Sequence, residues 1–179
     1  MNRFQSLVSA FFRGLANASL TDAEIDFLRE NLTKQEQILF YRMSQFDQKH
    51  SLLVAHTIEE ILGRRAKMKI EKLFKAALLH DVGKVCVKLT LWDRVIQTVS
   101  FAALRPIANY LADRGQSEHA GHLSRILYCS KYHPQIGAEL AREIGVEESI
   151  VYLIQHHEDL LDPNEPKELT ILREADSVH

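Results

Sequence analysis

Apolar residues recur in this chain at intervals of three and four almost from end to end, and no stretch alternates apolar with polar residues as a half-buried strand would. That pattern confines the chain to an all-α fold. Two helix starts carry a capping box, Thr21-Asp22-Ala23-Glu24 and Thr33-Lys34-Gln35-Glu36, in which hydroxyl and carboxylate satisfy each other's backbone donors. Asp47 is the expected cap of a third helix, which Gly63 stops after about Leu62. Further helices are expected at about 69–79, halting near Gly83, then at 91–112, broken around Pro106, and at 117–129. The last three fall at 134–144, 147–157 and 167–177. With no repeat or linker, this reads as a single-domain helical bundle: residues 1–45 a helical segment packed on the core, and 46–179 the main domain. Within 1–45, Phe4, Leu7, Val8, Phe11, Phe12 and Leu15 suggest a core-docking helix, the alternatives being a membrane-surface helix or a partner-binding one, such as a helix that pairs two copies in a homodimer.

Charge narrows the partners. The 22 Lys and Arg against 24 Asp and Glu, net −2, argue against nucleic acid as the main ligand, because phosphate binding rests on clustered cations. No run reaches the roughly 18 apolar residues of a membrane span, and a cytoplasmic location is expected. The two cysteines, Cys86 and Cys129, form no CxxC pair and read as separate thiols in a reducing compartment.

Histidine is the functional signal, nine residues in 179. At about 100° per residue, several fall on the apolar stripe of their own helix. His50 shares a face with Val54, Ile58 and Ile61; His133 heads Ile136, Leu140 and Ile144; His157 extends Ile150, Leu153 and Ile154, with His156 at the border. Asp81 continues Ile70, Phe74 and Ala77, and Asp176 completes Leu169 and Leu172. Stripes turn inward in a compact domain, so these groups should converge. Burying them without partners costs several kcal/mol each, whereas imidazoles with a few carboxylates make a transition-metal site. His56 lies off its stripe and should be exposed, and His119 and His122 should line a solvated or rim face.

The order of these residues, His50 in KHSLLVA, His80-Asp81 in LLHDVGK, His133 in YHPQIGAELA, His156-His157 in IQHHE and Asp176 in LREADSV, resembles the HD-domain superfamily. The resemblance implies an all-helical, metal-dependent phosphohydrolase that binds one or two divalent transition-metal ions. It implies that His50, His80, Asp81 and Asp176 hold one ion, and that His133, His156 and His157 with Asp81 suit a second. Asp159 to Pro166 lacks the Gly and Tyr of the cyclic-dinucleotide branch's DGxGYP loop, and Phe46 stands where that branch tends to carry Glu, so the pattern looks like the simpler HDIG type.

The expected chemistry is hydrolysis of a phosphate ester, a nucleotide or a related small phosphorylated compound, by metal-activated water. Asp81 would position the nucleophile, and Lys84, three residues on, would neutralise phosphoryl charge. A His-rich set suits Fe, Mn, Co, Ni or Zn better than Mg. No general acid is assigned, His122 being the candidate for that role. Arg94, Arg105, Lys131 and Arg173 are candidate substrate cations, each more simply a surface residue, and Trp92 is expected to pack. Two other readings stay open: an HD-fold di-iron oxygenase with the same ligands, and a non-catalytic metal or nucleotide sensor.

Overall fold

A computed structural model describes residues 19–63 and 70–179. The expected helix at Phe4–Leu15 lies outside the described residues. Nine α-helices and one 3-10 turn make up the regular structure described, with no strand among the described residues. The helices are α1 Asp22–Asn31, α2 Lys34–Tyr41, α3 Gln45–Leu62, α4 Ile70–Leu79, α5 Leu91–Ala103, α6 Arg105–Asp113, α7 His122–Glu143, α8 Glu148–His156 and α9 Lys167–Ser177. The 3-10 turn, Val82–Cys86, follows α4. Among the described residues no helix is long and apolar enough to cross a membrane.

Both capping boxes form: Thr21 N and Thr33 N each donate to the following Glu Oε2 at 2.7 Å. The cap of α3 differs from expectation. Ser44, not Asp47, takes the cap position, its Oγ accepting from Asp47 N at 3.2 Å. Asp47 sits in the first turn, where its carboxylate is buried against Arg94 at 2.9 and 2.7 Å. Two candidate caps three residues apart cannot be ranked by residue type alone. Gly63 ends α3 at φ +60°, a backbone angle that glycine tolerates best.

The main core gathers Leu28, Phe40, Leu52, Ile58, Leu73, Leu79, Ile154 and Leu172 from six helices, α1 and α2 included. A smaller core of Ala108, Ala112, Ile126 and Leu127 joins α6 to α7. The α5–α6 break falls at Leu104, before Pro106. Trp92, expected to pack, is instead 76% exposed on α5, because that helix turns its buried side toward Asp93 and Gln97.

The two helices expected at 117–129 and 134–144 are one, α7, with Pro134 inside it. Proline removes the amide hydrogen that would have bonded to the Ser130 carbonyl, four residues earlier. That carbonyl is taken instead by the His133 side chain, Nδ1 to O 2.8 Å.

Cys86 and Cys129 also depart from expectation: they form a disulfide, with Cα atoms 6.1 Å apart, across 43 residues of sequence. No local spacing announces this pairing. It depends on how closely the 3-10 turn lies along α7. Gly83 permits that approach, since a Cβ there would stand 2.0 Å from His133 O and 2.7 Å from Gly137 N.

Candidate metal centre

Three imidazoles are oriented by one device. A carbonyl only accepts, so the ring nitrogen facing it must carry the proton. His80 Nδ1 donates to Ala77 O at 2.8 Å and His157 Nδ1 to Ile154 O at 2.7 Å. Ala77 and Ile154 stand in the last turns of α4 and α8, whose carbonyls run out of intrahelical donors. His133 Nδ1 uses the carbonyl that Pro134 leaves free. In each case Nε2 is turned into the interior, as in metal sites whose ligands are aligned by outer hydrogen bonds.

The Nε2 atoms converge on Asp81. His133 Nε2 is 3.2 Å from Asp81 Oδ1 and 3.2 Å from His157 Nε2, and His80 Nε2 is 3.6 Å from the same Oδ1. All four residues are at most 3% exposed. Asp81 Oδ1 is buried with no hydrogen-bond partner. On the more open side, His50 Nε2 lies 2.8 Å from Asp176 Oδ1 and 3.8 Å from Asp81 Oδ2. Two ligand triads result, His50–His80–Asp81 and Asp81–His133–His157, sharing only Asp81. Two lone pairs face each other at 3.2 Å beside an unpartnered carboxylate oxygen, and a cation is what relieves that arrangement. The residues therefore fit the divalent metal that the fold implies.

A family model for the HDOD domain matches residues 27–160, well over half of the chain. The chain belongs to the HDOD domain family. No curated protein and no solved structure gives a significant match. The HDOD domain is HD-related, which agrees with the superfamily reading and with the all-α bundle, but the match does not carry the HDIG type. It begins inside α1, within residues assigned above to a separate N-terminal segment, and stops before Asp176.

Electrostatics in the HDOD domain's cluster follow its charges. Burial opposes ionisation of Asp81, yet the charges of Lys84 and His80 beside it hold its carboxyl well below the usual range. Burial opposes a proton on His80 too, but Asp81 and Asp176 outweigh it and raise its pKa to about 9. Burial and the neighbouring His80 and His133 push His157 well below its ordinary value. In the metal-free chain the His80 proton thus stands where a cation would. Held more tightly in the folded than in the unfolded state, it stabilises the fold fully below about 6.5, and that stabilisation is lost as pH rises through about 9. The metal-free chain is expected to melt at falling temperature between those limits. Metal uptake near neutrality should release about one proton, that of His80, read by calorimetry in buffers of different ionisation enthalpy; uptake without proton release would contradict this account.

The remaining candidates divide clearly. Lys84 Nζ donates to Asp81 Oδ2 at 2.7 Å, at the partly exposed edge of the cluster. His156 points away from the cluster, bonded to Asp159 at 2.5 Å and stacked on Tyr152, because residues adjacent on a helix diverge by about 100°. Arg173 is not free for substrate: it clamps the carbonyls of His156 at 2.7 Å and His157 at 3.2 Å, and so fixes the end of α8. Arg94 is committed to Asp47, and Lys131 to Asp113 at 2.6 Å. His122 pairs with Asp93 at 2.9 Å and lies eleven residues before His133 on one helix, about 16 Å away. His56 and His119 are exposed.

Sequence reading had passed over Glu158. Its Oε1 lies 3.7 Å from His133 Nε2 at the open side. Its position directly after His157 was the one signal that pointed to it.

Pro134 yields a test of the orienting device. Pro134→Ala restores an amide hydrogen that competes for Ser130 O, so metal affinity is expected to fall about tenfold. The metal-free variant should melt no lower than the parent, since a proline inside a helix costs about 3 kcal/mol. Unchanged affinity by metal titration would show that the proline does not set the ring.

Proposed function

We propose that this HDOD domain is a metal-dependent phosphohydrolase acting on a phosphate ester, a nucleotide or a related small phosphorylated compound. One observation carries the reading: three Nε2 atoms and the unpartnered Asp81 Oδ1 converge in a buried site whose open side presents a cation, Lys84. His50, His80, Asp81 and Asp176 would hold one ion, and Asp81, His133 and His157 a second. When bound, a divalent transition metal supplies hydroxide at neutral pH and Lewis acidity toward a phosphoryl oxygen. Asp81 keeps both ligand groups in register, being the residue they share. Lys84 is within reach of phosphoryl oxygens entering from the open side and offsets their charge. Burial of the cluster keeps bulk water from competing with these contacts. Such an imidazole-rich set favours Fe, Mn, Co, Ni or Zn over Mg.

The test is metal content per chain on anaerobically purified protein, followed by a phosphoester panel with the metal found. One to two equivalents and hydrolysis of a phosphate ester are expected. A chain that refuses Mn, Fe and Zn would overturn the reading. Bound iron with oxygen uptake and no phosphate release would replace it by the oxygenase reading. A cytoplasmic location belongs to the same proposal, and it would expose the Cys86–Cys129 bond to thiol reductants.

A further inference from the structure

The disulfide is placed asymmetrically with respect to the cluster. Its Cys86 end closes the 3-10 turn that begins directly after Asp81 and carries Lys84. Its Cys129 end lies on α7 one helical turn before His133. The start of the turn is held independently, by the backbone contact of Gly83 with His133 and Gly137. What the bond adds is restraint at the far end, where the chain leaves for α5 through residues 87–90, in no regular structure. Cys129 is fully buried, whereas Cys86 is exposed. A nucleophile therefore has access from the Cys86 side.

We propose that Cys86–Cys129 is a reversible thiol–disulfide site, reduced by small monothiols of the glutathione type, that sets how firmly the Lys84-bearing turn is held on α7. A reductant thiolate attacks Cys86 Sγ, forming a mixed disulfide and releasing the Cys129 thiolate. A second reductant thiolate attacks the reductant's sulfur, giving the symmetric reductant disulfide and the Cys86 thiolate. Two reductant thiols are oxidised, one protein disulfide is reduced by two electrons, and the two protein sulfurs take up the protons. Oxidised, the turn is pinned at both ends and Lys84 stays on Asp81. Reduced, the Gly83 contact survives and the segment from Lys84 to Thr90 opens locally, while α7 keeps its structure.

The consequence for hydrolysis rests on the proposed function, but the restraint itself does not, so the test uses the full metal-free chain. The air-oxidised protein is equilibrated in glutathione redox buffers, and free thiols are counted by alkylation and mass. Amide hydrogen exchange is then compared between the oxidised chain, the reduced chain and Cys86→Ser, an exposed position whose change leaves the core intact. We expect no free thiol in the oxidised chain, two after reduction and full recovery of the bond on reoxidation. Exchange over residues 84–90 should rise at least about tenfold in both open forms, with the amides of α7 unchanged. Two alkylated thiols in the air-oxidised chain, or equal exchange in the three forms, would overturn the proposal. Failure of the chain to bind metal would count against the hydrolase reading and leave this result standing.

Discussion

Asp81→Asn is expected to leave a folded chain that retains less than about a tenth of the parent's metal and loses at least about a thousandfold in phosphoester hydrolysis. The size follows from position. Asp81 is the one residue common to both ligand triads, so a single change weakens both. An amide oxygen carries no net charge, so one ligand group is left with imidazoles alone and the other with Asp176 as its one carboxylate, too little charge to balance the ions. The substitution is nearly isosteric, so packing of Asp81 beside Val82 and His80 is kept, and circular dichroism should match the parent's. Its cost to stability comes from Lys84 and His80, whose positive charges lose the carboxylate between them. His56→Ala is the control: that ring is exposed against Phe27, and metal content should not change. Metal retained in Asp81→Asn, with turnover, would remove Asp81 from the centre of the site.

How much of this was legible beforehand depends on whether a residue's role is set locally. The helical stripes pointed His50, Asp81, His133, His157 and Asp176 inward, and the structure brings these five side chains to one place. Periodicity works for His50, His133 and Asp176 because each lies on a helix that buries a single face, and it carries to Asp81 and His157 just past the ends of α4 and α8. His80 was not on a stripe and came only from the motif; its ring reaches the cluster from the turn just past the end of α4. The motif named His156 as well as His157, and the stripe had put His156 at its border; its ring turns outward to Asp159. Pro134 read as a helix break because a lone sequence does not tell which side chain will occupy the carbonyl that proline abandons. Three things had no local signature: the disulfide, the exposure of Trp92 and the clamp of Arg173 on α8. Each is a property of how two helices approach, and in the first case that approach turns on one hydrogen atom.

That hydrogen is the side chain of Gly83. Gly83→Ala is expected to destabilise the chain by about 3 kcal/mol or more and to weaken metal binding sharply. Its Cβ would meet His133 O at 2.0 Å and His133 C at 2.8 Å, and both are backbone atoms of a helix interior that cannot rotate away. The 3-10 turn must then move off α7, and it begins at the residue after Asp81, so the 3.2 Å approach of Asp81 to His133 Nε2 is lost with it. Gly137, on the other side of the same contact, provides the comparison. A Cβ there would stand 3.2 Å from Gly83 N and 3.3 and 3.4 Å from the ends of Ile154 and Val82, a tight fit rather than an overlap. Alanine also favours a helix interior over glycine by about 1 kcal/mol, so Gly137→Ala should change stability by no more than about 1 kcal/mol. Chemical denaturation and metal titration of the two variants separate the steric account from a general sensitivity of this region. Equal losses would mean that the region tolerates no change at all. A Gly83→Ala chain as stable and as metal-competent as the parent would mean that the close approach of turn and helix is not what assembles the site.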